Sequence, residues 1–167
     1  MGTGKEIIMT ELPNKSEVLK LGNQLCFPLY ACAKEVIKIY RKPLEKIGLT
    51  YTQYIVMMVL WKFGNMSEKK LGEKIYLDSG TLTPVLKKLE KSGFVKRQRV
   101  AEDERFVKII LTDNGVKLKQ KALTVPQALE GNIYLSYDEM TKLYDLLNKA
   151  LEGINKRRKV NDESNDN

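Results

Sequence analysis

Two sets of side chains in this 167-residue chain have types and spacing suited to chemistry. The first is the pair of thiols, Cys26 and Cys32, the only cysteines present. Six residues apart on one helix, they are separated by about 9 Å of rise and about 120° of rotation, too far for a disulfide between them. A structural bridge within the chain is disfavoured, in keeping with a reducing compartment. With no histidine and two cysteines, an all-protein zinc site is hard to assemble, so neither a metal nor a cofactor is expected. The second set is Ser79, Thr81 and Thr83, followed by Lys87, Lys88 and Lys91. Small hydroxyl side chains at a helix start let the backbone approach a groove floor and donate to base edges. The helix dipole and the free N–H groups of the first turn attract phosphate. That is the chemistry of reading DNA.

Charge points the same way. The formal net charge is +8 and the isoelectric point is near 9.3, which suits a polyanionic partner. Eight basic residues stand against four acidic ones between Lys87 and Lys108, where the hydroxyl-rich helix sits. A second basic cluster, 156–159, reads as favourable charge at a helix C-terminus. The longest apolar run, 54–61, is far short of the roughly 20 residues a membrane helix needs, and no signal-peptide pattern opens the chain. A cytoplasmic location without a membrane partner is expected.

The elements that must position these groups follow from patterning. Residues 1–15, with a turn at Pro13 and Asn14, read as a flexible arm. From 16 to 48 apolar residues recur at three- and four-residue steps. Pro28 interrupts them, so either a new helix starts near residues 25–27 or one helix kinks there. Cys26 then lies at a helix N-terminus or an opened turn. Pro43 and Gly48 end this region. Residues 49–112 predict a DNA-binding lobe: a buried helix over 53–63 capped by Thr50 or Thr52, a short helix over 68–75, a turn, and a second helix capped by Asp78 or Ser79. Two short strands, 94–99 and 106–111, flank a polar tip. Another helix runs from Thr112 to about Gly131, disturbed at Pro126. Ser136 and Glu139 fit a capping box for a last helix with a continuous apolar stripe from Leu143 to Ile154. The domain has little core of its own to cover that stripe and the N-terminal one, so dimerisation through helices in 16–48 and 113–156 is expected; the alternative is packing of one stripe on the other. Residues 157–167 read as a disordered tail. The fold class is mainly α with a small β-wing, a winged helix-turn-helix dimerised through its N- and C-terminal helices.

The run 49–54 before a buried helix, the run 70–84, Lys87-Lys88-Leu89-Glu90, and Asp103-Glu104-Arg105 before a strand together resemble the MarR family of winged-helix repressors, over about residues 21–129. Leu25-Cys26-Phe27 and the run 77–84 are similar to its organic hydroperoxide resistance regulator (OhrR/SarZ-like) branch. The resemblance implies a homodimer on double-stranded DNA with a pseudo-palindromic operator. Ser79, Thr81 and Thr83 would read the major groove and Lys87 or Lys88 would take phosphate. Arg105, held by Asp103, would enter the minor groove, where the negative potential draws an arginine.

The resemblance also implies that Cys26 is a redox-sensing thiol, with Tyr30 and Tyr40 as its phenol partners. Tyr30 is one turn away, whereas Tyr40 is about 21 Å along the helix and would serve the other subunit's thiol. Attack on an organic hydroperoxide gives a sulfenic acid, which a second thiol captures. In two-cysteine members of the branch that thiol sits near what is Gly131 here. This chain has none there, so a small thiol or a protein partner is implied. Pro28 departs from the branch pattern. The plain alternative for each cysteine is a small buried hydrophobe, the reading preferred for Cys32. Two rival functions are a MarR-type repressor released by a small anionic or phenolic ligand, and a thiol peroxidase using Cys26. The second lacks a resolving cysteine and a thioredoxin-like βαβ pattern, and no enzymatic activity is expected.

Overall fold

Short polar side chains set most of the element boundaries. Thr50 forms a capping box with Gln53 and starts α2, Tyr51–Phe63. Ser67 starts α3, Glu68–Ile75, Asp78 starts α4, Ser79–Lys91, and Thr112 starts α5, Asp113–Ala122. Each accepts a first-turn N–H that the helix itself leaves unpaired. The computed structural model describes residues 19–100 and 103–165, with the side chains of 100–106 and 158–165 outside the description. The expected arm 1–15 lies outside the described residues.

The chain divides into two units, 1–130 and 131–167. In the first, a 3-10 turn, Leu21–Asn23, leads into α1, Cys26–Glu45. Of the two readings of Pro28, the structure takes the new helix: Cys26 is its first residue, so Pro28 falls in a first turn that needs no N–H from it. Pro43 does not end α1 as expected; it sits in the last turn and the helix continues to Glu45.

The sheet has three antiparallel strands in the order β1, β3, β2, with β1 at Met66–Ser67, β2 at Val95–Val100 and β3 at Asp103–Leu111. β1, two residues paired with Ile109 and Lys108, carries no alternation and was not predicted. β3 begins three residues earlier than expected, which shortens the polar tip.

The core lies where α2, α3, α4, α5 and the sheet meet. Leu71 of α3, Leu82, Leu86 and Leu89 of α4 and Ile109 of β3 are fully buried with Val56, Met57 and Leu60 of α2. Burying one such side chain contributes about 1.5–3 kcal/mol. Gly72 makes the tight helix-turn-helix possible: a Cβ there would stand 2.6 Å from the Leu77 carbonyl oxygen.

α5 stops at Ala122, short of the expected end near Gly131. Pro126 has no N–H for the Ala122 carbonyl; Val125 donates to it instead, at 3.1 Å, and the chain tightens into a 3-10 turn, Pro126–Leu129.

The second unit is α6, Tyr137–Asn165, opened by the Ser136–Glu139 capping box. Residues 157–165, expected to be a disordered tail, are helical: no glycine or proline follows Gly153, so an established helix propagates one residue at a time. Leu143, Leu146, Leu147, Leu151 and Ile154 are exposed, as are Leu21, Leu25, Phe27 and Leu29 around the start of α1. Among the described residues, no helix is long and apolar enough to cross a membrane.

Candidate functional site

The inner face of α4 fixes what its outer face can offer. Leu82, Leu86 and Leu89 bury one stripe, and at 100° per residue the opposite face carries Gly80, Pro84, Lys87 and Lys91. All four are exposed. Thr81 and Lys88 lie along one edge, also exposed. Alternate residues of a helix are 200° apart, so Ser79, Thr81 and Thr83 do not all point the same way. Ser79 and Thr81 are exposed, but Thr83 is half-buried and its hydroxyl donates to Glu68 Oε1 of α3. Gly80 and Pro84, which the sequence reading does not single out, share the outer face with Lys87 and Lys91. Their three- to four-residue spacing opposite the leucine stripe was the available signal. Pro84 cannot donate to the Gly80 carbonyl, which is left without its intrahelical partner on a surface where no Cβ obstructs approach.

Asp78 holds the start of this helix. Its carboxylate accepts from the Thr81 N–H and the Thr81 hydroxyl, each at 2.9 Å. The backbone N–H of Thr81, and then its hydroxyl, draw the Asp78 carboxyl below its ordinary value of 3.8. A depressed acid stabilises the fold above its unfolded value and loses that contribution as pH falls through the folded one. Wild-type protein therefore loses more thermal stability below about pH 4 than Asp78→Asn, whose amide still caps but does not titrate. Melting temperatures of the two proteins from pH 6 to 3 check this.

The wing joins the same framework. On β2, the Arg97 N–H donates to Glu90 Oε1 at 2.7 Å, so α4 covers an edge strand. The Arg97 guanidinium stands 3.6 Å from Glu68 Oε2, and its Nε is buried without a partner. The backbones of Asp103 and Arg105 lie in β3, and their side chains are outside the described residues. Lys87 and Lys88 are exposed.

The thiol residues all lie on α1, and one chain does not bring them together. Cys26 is exposed, its Sγ 3.8 Å from Gln24 Oε1. Tyr30 is exposed beside the ammonium of Lys34, 5.7 Å from its ring centroid. Tyr40, about 21 Å along the helix from Cys26, packs on Tyr51 and Tyr54 with ring centroids 5.4 and 6.3 Å away. Burial, and then the neighbouring Tyr51 and Tyr54, push its phenol above the ordinary 10.0, so it stays a protonated donor. Cys32 is exposed, not buried as expected, because the surface of α1 around it is uncovered in a single chain.

Comparison with known proteins identifies this arrangement. The family model described as transcriptional regulator SarA/Rot matches residues 38–122. The organic hydroperoxide resistance transcriptional regulator of Bacillus subtilis is 42% identical over 87% of this chain and 99% of its own length. The HTH-type transcriptional regulator SarZ of Staphylococcus haemolyticus is 44% identical over 78% of this chain and 89% of its own. Among solved structures, AbfR of Staphylococcus epidermidis in reduced form bound to DNA is 38% identical, with a TM-score of 0.67 over 84% of this chain and 99% of that one. AbfR is also known overoxidised and bound to DNA, at 37% identity and a TM-score of 0.68 over 84% of this chain and 98% of its own. A disulfide form of AbfR is 35% identical, with a TM-score of 0.58 over 84% and 96%. Both the relatives and the fold are those of DNA-binding regulators, not enzymes. The chain belongs to the MarR family of winged-helix transcriptional regulators, in its organic hydroperoxide resistance regulator and SarZ-like branch.

Proposed function

We propose that the chain acts in the cytoplasm as a homodimeric repressor that holds a pseudo-palindromic operator and releases it when an organic hydroperoxide oxidises Cys26. The observation that carries this reading is Cys26 itself: free, exposed and first in a helix whose surroundings are apolar and uncovered. A second copy covering the exposed faces of α1 and of α6 would enclose the thiol. Its Tyr40 would also supply a phenol that the same chain's helix carries too far away.

The sulfur, as thiolate, attacks the distal peroxide oxygen. An S–O bond forms, the O–O bond breaks, and the departing alkoxide takes a proton to leave as alcohol. Sulfur is oxidised to sulfenic acid and the peroxide reduced. A small thiol then displaces the hydroxyl, giving a mixed disulfide and water. The protonated Tyr40 of the second copy is suited to donate to the sulfur. Since AbfR is bound to DNA both reduced and overoxidised, added oxygen alone is a poor release signal. The bulk of a mixed disulfide in the subunit interface supports release better.

On DNA, the outer face of α4, with Gly80, Pro84 and Lys87, enters the major groove beside Ser79 and Thr81. Lys88, on the helix edge, meets phosphate, and Arg105 with Asp103 takes the minor groove. A phosphate contact contributes about 0.9 to the slope of log affinity against log salt. Lys88→Ala should lower that slope by about two across a dimer and weaken operator and random DNA alike. Fluorescence anisotropy at several salt concentrations measures both.

The reading is tested by binding to DNA from upstream of the protein's own gene, with and without an organic hydroperoxide and excess small thiol. Release on oxidation supports it. Binding that ignores peroxide but yields to a phenolic acid would replace it with a ligand-released repressor.

A further inference from the structure

The side chains that join α3, α4 and β2 divide one carboxylate between two claims. Glu68, the first residue of α3, directs Oε1 to the Thr83 hydroxyl of α4 and Oε2 to the Arg97 guanidinium of β2. The Glu68 and Arg97 side chains are 13% and 19% exposed, so solvent does little to screen the pair. At 3.6 Å the contact with Arg97 is an ion pair and not a good hydrogen bond, and the buried Arg97 Nε is left with no partner. The carboxylate cannot turn to serve the guanidinium with both oxygens while Thr83 holds one of them. About two turns further along the same face of α4, Glu90 takes the Arg97 N–H. Ser67, which caps α3, also lies in β1 and pairs with Lys108 of the wing.

From this geometry we propose that Glu68 is a positioning residue for DNA recognition: through Thr83 and Arg97 it sets the pose of the recognition helix against the wing. Thr83 therefore serves specificity without reading a base. The proposal rests on the reading of α4 as the DNA-reading helix. Two contacts must be satisfied at once on an operator, one by α4 in the major groove and one by the wing, and a shared internal carboxylate keeps them in register. Non-specific binding through phosphates needs no such register.

Thr83→Val keeps the shape of the side chain and removes its donor; Thr83→Ser keeps the donor. Operator affinity of Thr83→Val should fall on the order of tenfold, the scale of a hydrogen bond to a charged group. Affinity for random DNA and the salt slope should not change, and Thr83→Ser should restore the operator. In operators carrying single base-pair changes, the loss should spread over many positions, because a tilted helix weakens every contact. A second copy of the test uses Glu68→Ala, in which Thr83→Val should have no further effect. Unchanged operator affinity in Thr83→Val would overturn the proposal. So would loss of discrimination at one base pair only, which would make Thr83 a base reader. Melting temperatures of the Thr83 variants within a few degrees of wild type separate positioning from general unfolding. Wild-type protein that does not prefer operator over random DNA would overturn the reading of α4 and the proposal with it, a result distinct from failure of the Thr83 variants alone.

Discussion

Cys26→Ser protein should keep its operator through an exposure to organic hydroperoxide and small thiol that lowers wild-type affinity on the order of a hundredfold, near the upper end of ordinary coupling between two sites. A serine hydroxyl does not attack the peroxide oxygen under these conditions and cannot form the disulfide, so neither step of the switch occurs. Untreated Cys26→Ser should bind like wild type, because the residue heads α1 and takes no part in the buried core of the DNA lobe. Cys32→Ser should still release. Cys32 lies six residues further along the helix and about 120° around it, away from the helix start and its dipole. Electrophoretic mobility or anisotropy on one operator, with and without oxidant, measures all three proteins. Release by Cys26→Ser equal to that of wild type would remove the thiol from the mechanism.

Gly115→Ala should be among the most damaging single-methyl additions in the chain. The new Cβ would stand 2.1 Å from the Phe94 carbonyl oxygen, 2.9 Å from Leu111 Cδ1 and 3.1 Å from the Phe94 carbonyl carbon. Backbone, not a flexible side-chain end, must therefore move. That backbone is tightly tied. Phe94 O accepts from the Thr112 N–H and hydroxyl, the hydroxyl also reaches Gly93 O, and Thr112 caps the N–H of Gly115 itself. The Gly115 carbonyl takes the Trp61 indole N–H at 2.8 Å. Separating α5 from the start of β2 strains these bonds as well as the packing. A cost of roughly 3 kcal/mol or more is expected, which lowers the melting temperature by about 10 °C for a domain of this size. The Trp61 emission should shift with it, and thermal denaturation followed by tryptophan fluorescence checks both. A melting temperature within two or three degrees of wild type, as a margin of about 1 kcal/mol, would contradict this account of the α5 junction.

The helix starts were legible because they depend on local chemistry. Thr50, Ser67, Asp78, Thr112 and Ser136 each accept an N–H from within three residues, and a short-range rule finds them. The wing was legible as two strands, while β1 was not, since two residues carry no period and their partner lies over 40 positions away. The basic, hydroxyl-rich character of α4 could be read directly; which hydroxyl faces outward could not. Thr83 turns inward because Glu68, 15 residues earlier, waits there, and that depends on the packing of α3 against α4. The proposed sensing residues show the limit most clearly. Cys26, Tyr30 and Tyr40 were found by resemblance and by helical spacing, but one chain carries Tyr40 to the aromatic side chains of α2 and leaves Cys26 exposed. The proposed enclosure would belong to an assembly, and a single sequence specifies that only through the apolar faces it leaves uncovered.

The central claim is that a mixed disulfide on Cys26, not oxidation alone, releases DNA. Its most direct test titrates operator-bound protein with an organic hydroperoxide in the presence of excess small thiol, following anisotropy and intact mass in the same samples. The account predicts one thiol adduct per chain, mapped to Cys26, with DNA release tracking its occupancy and little release when peroxide is added without thiol. Full adduct formation on Cys26 with the operator still bound would contradict it.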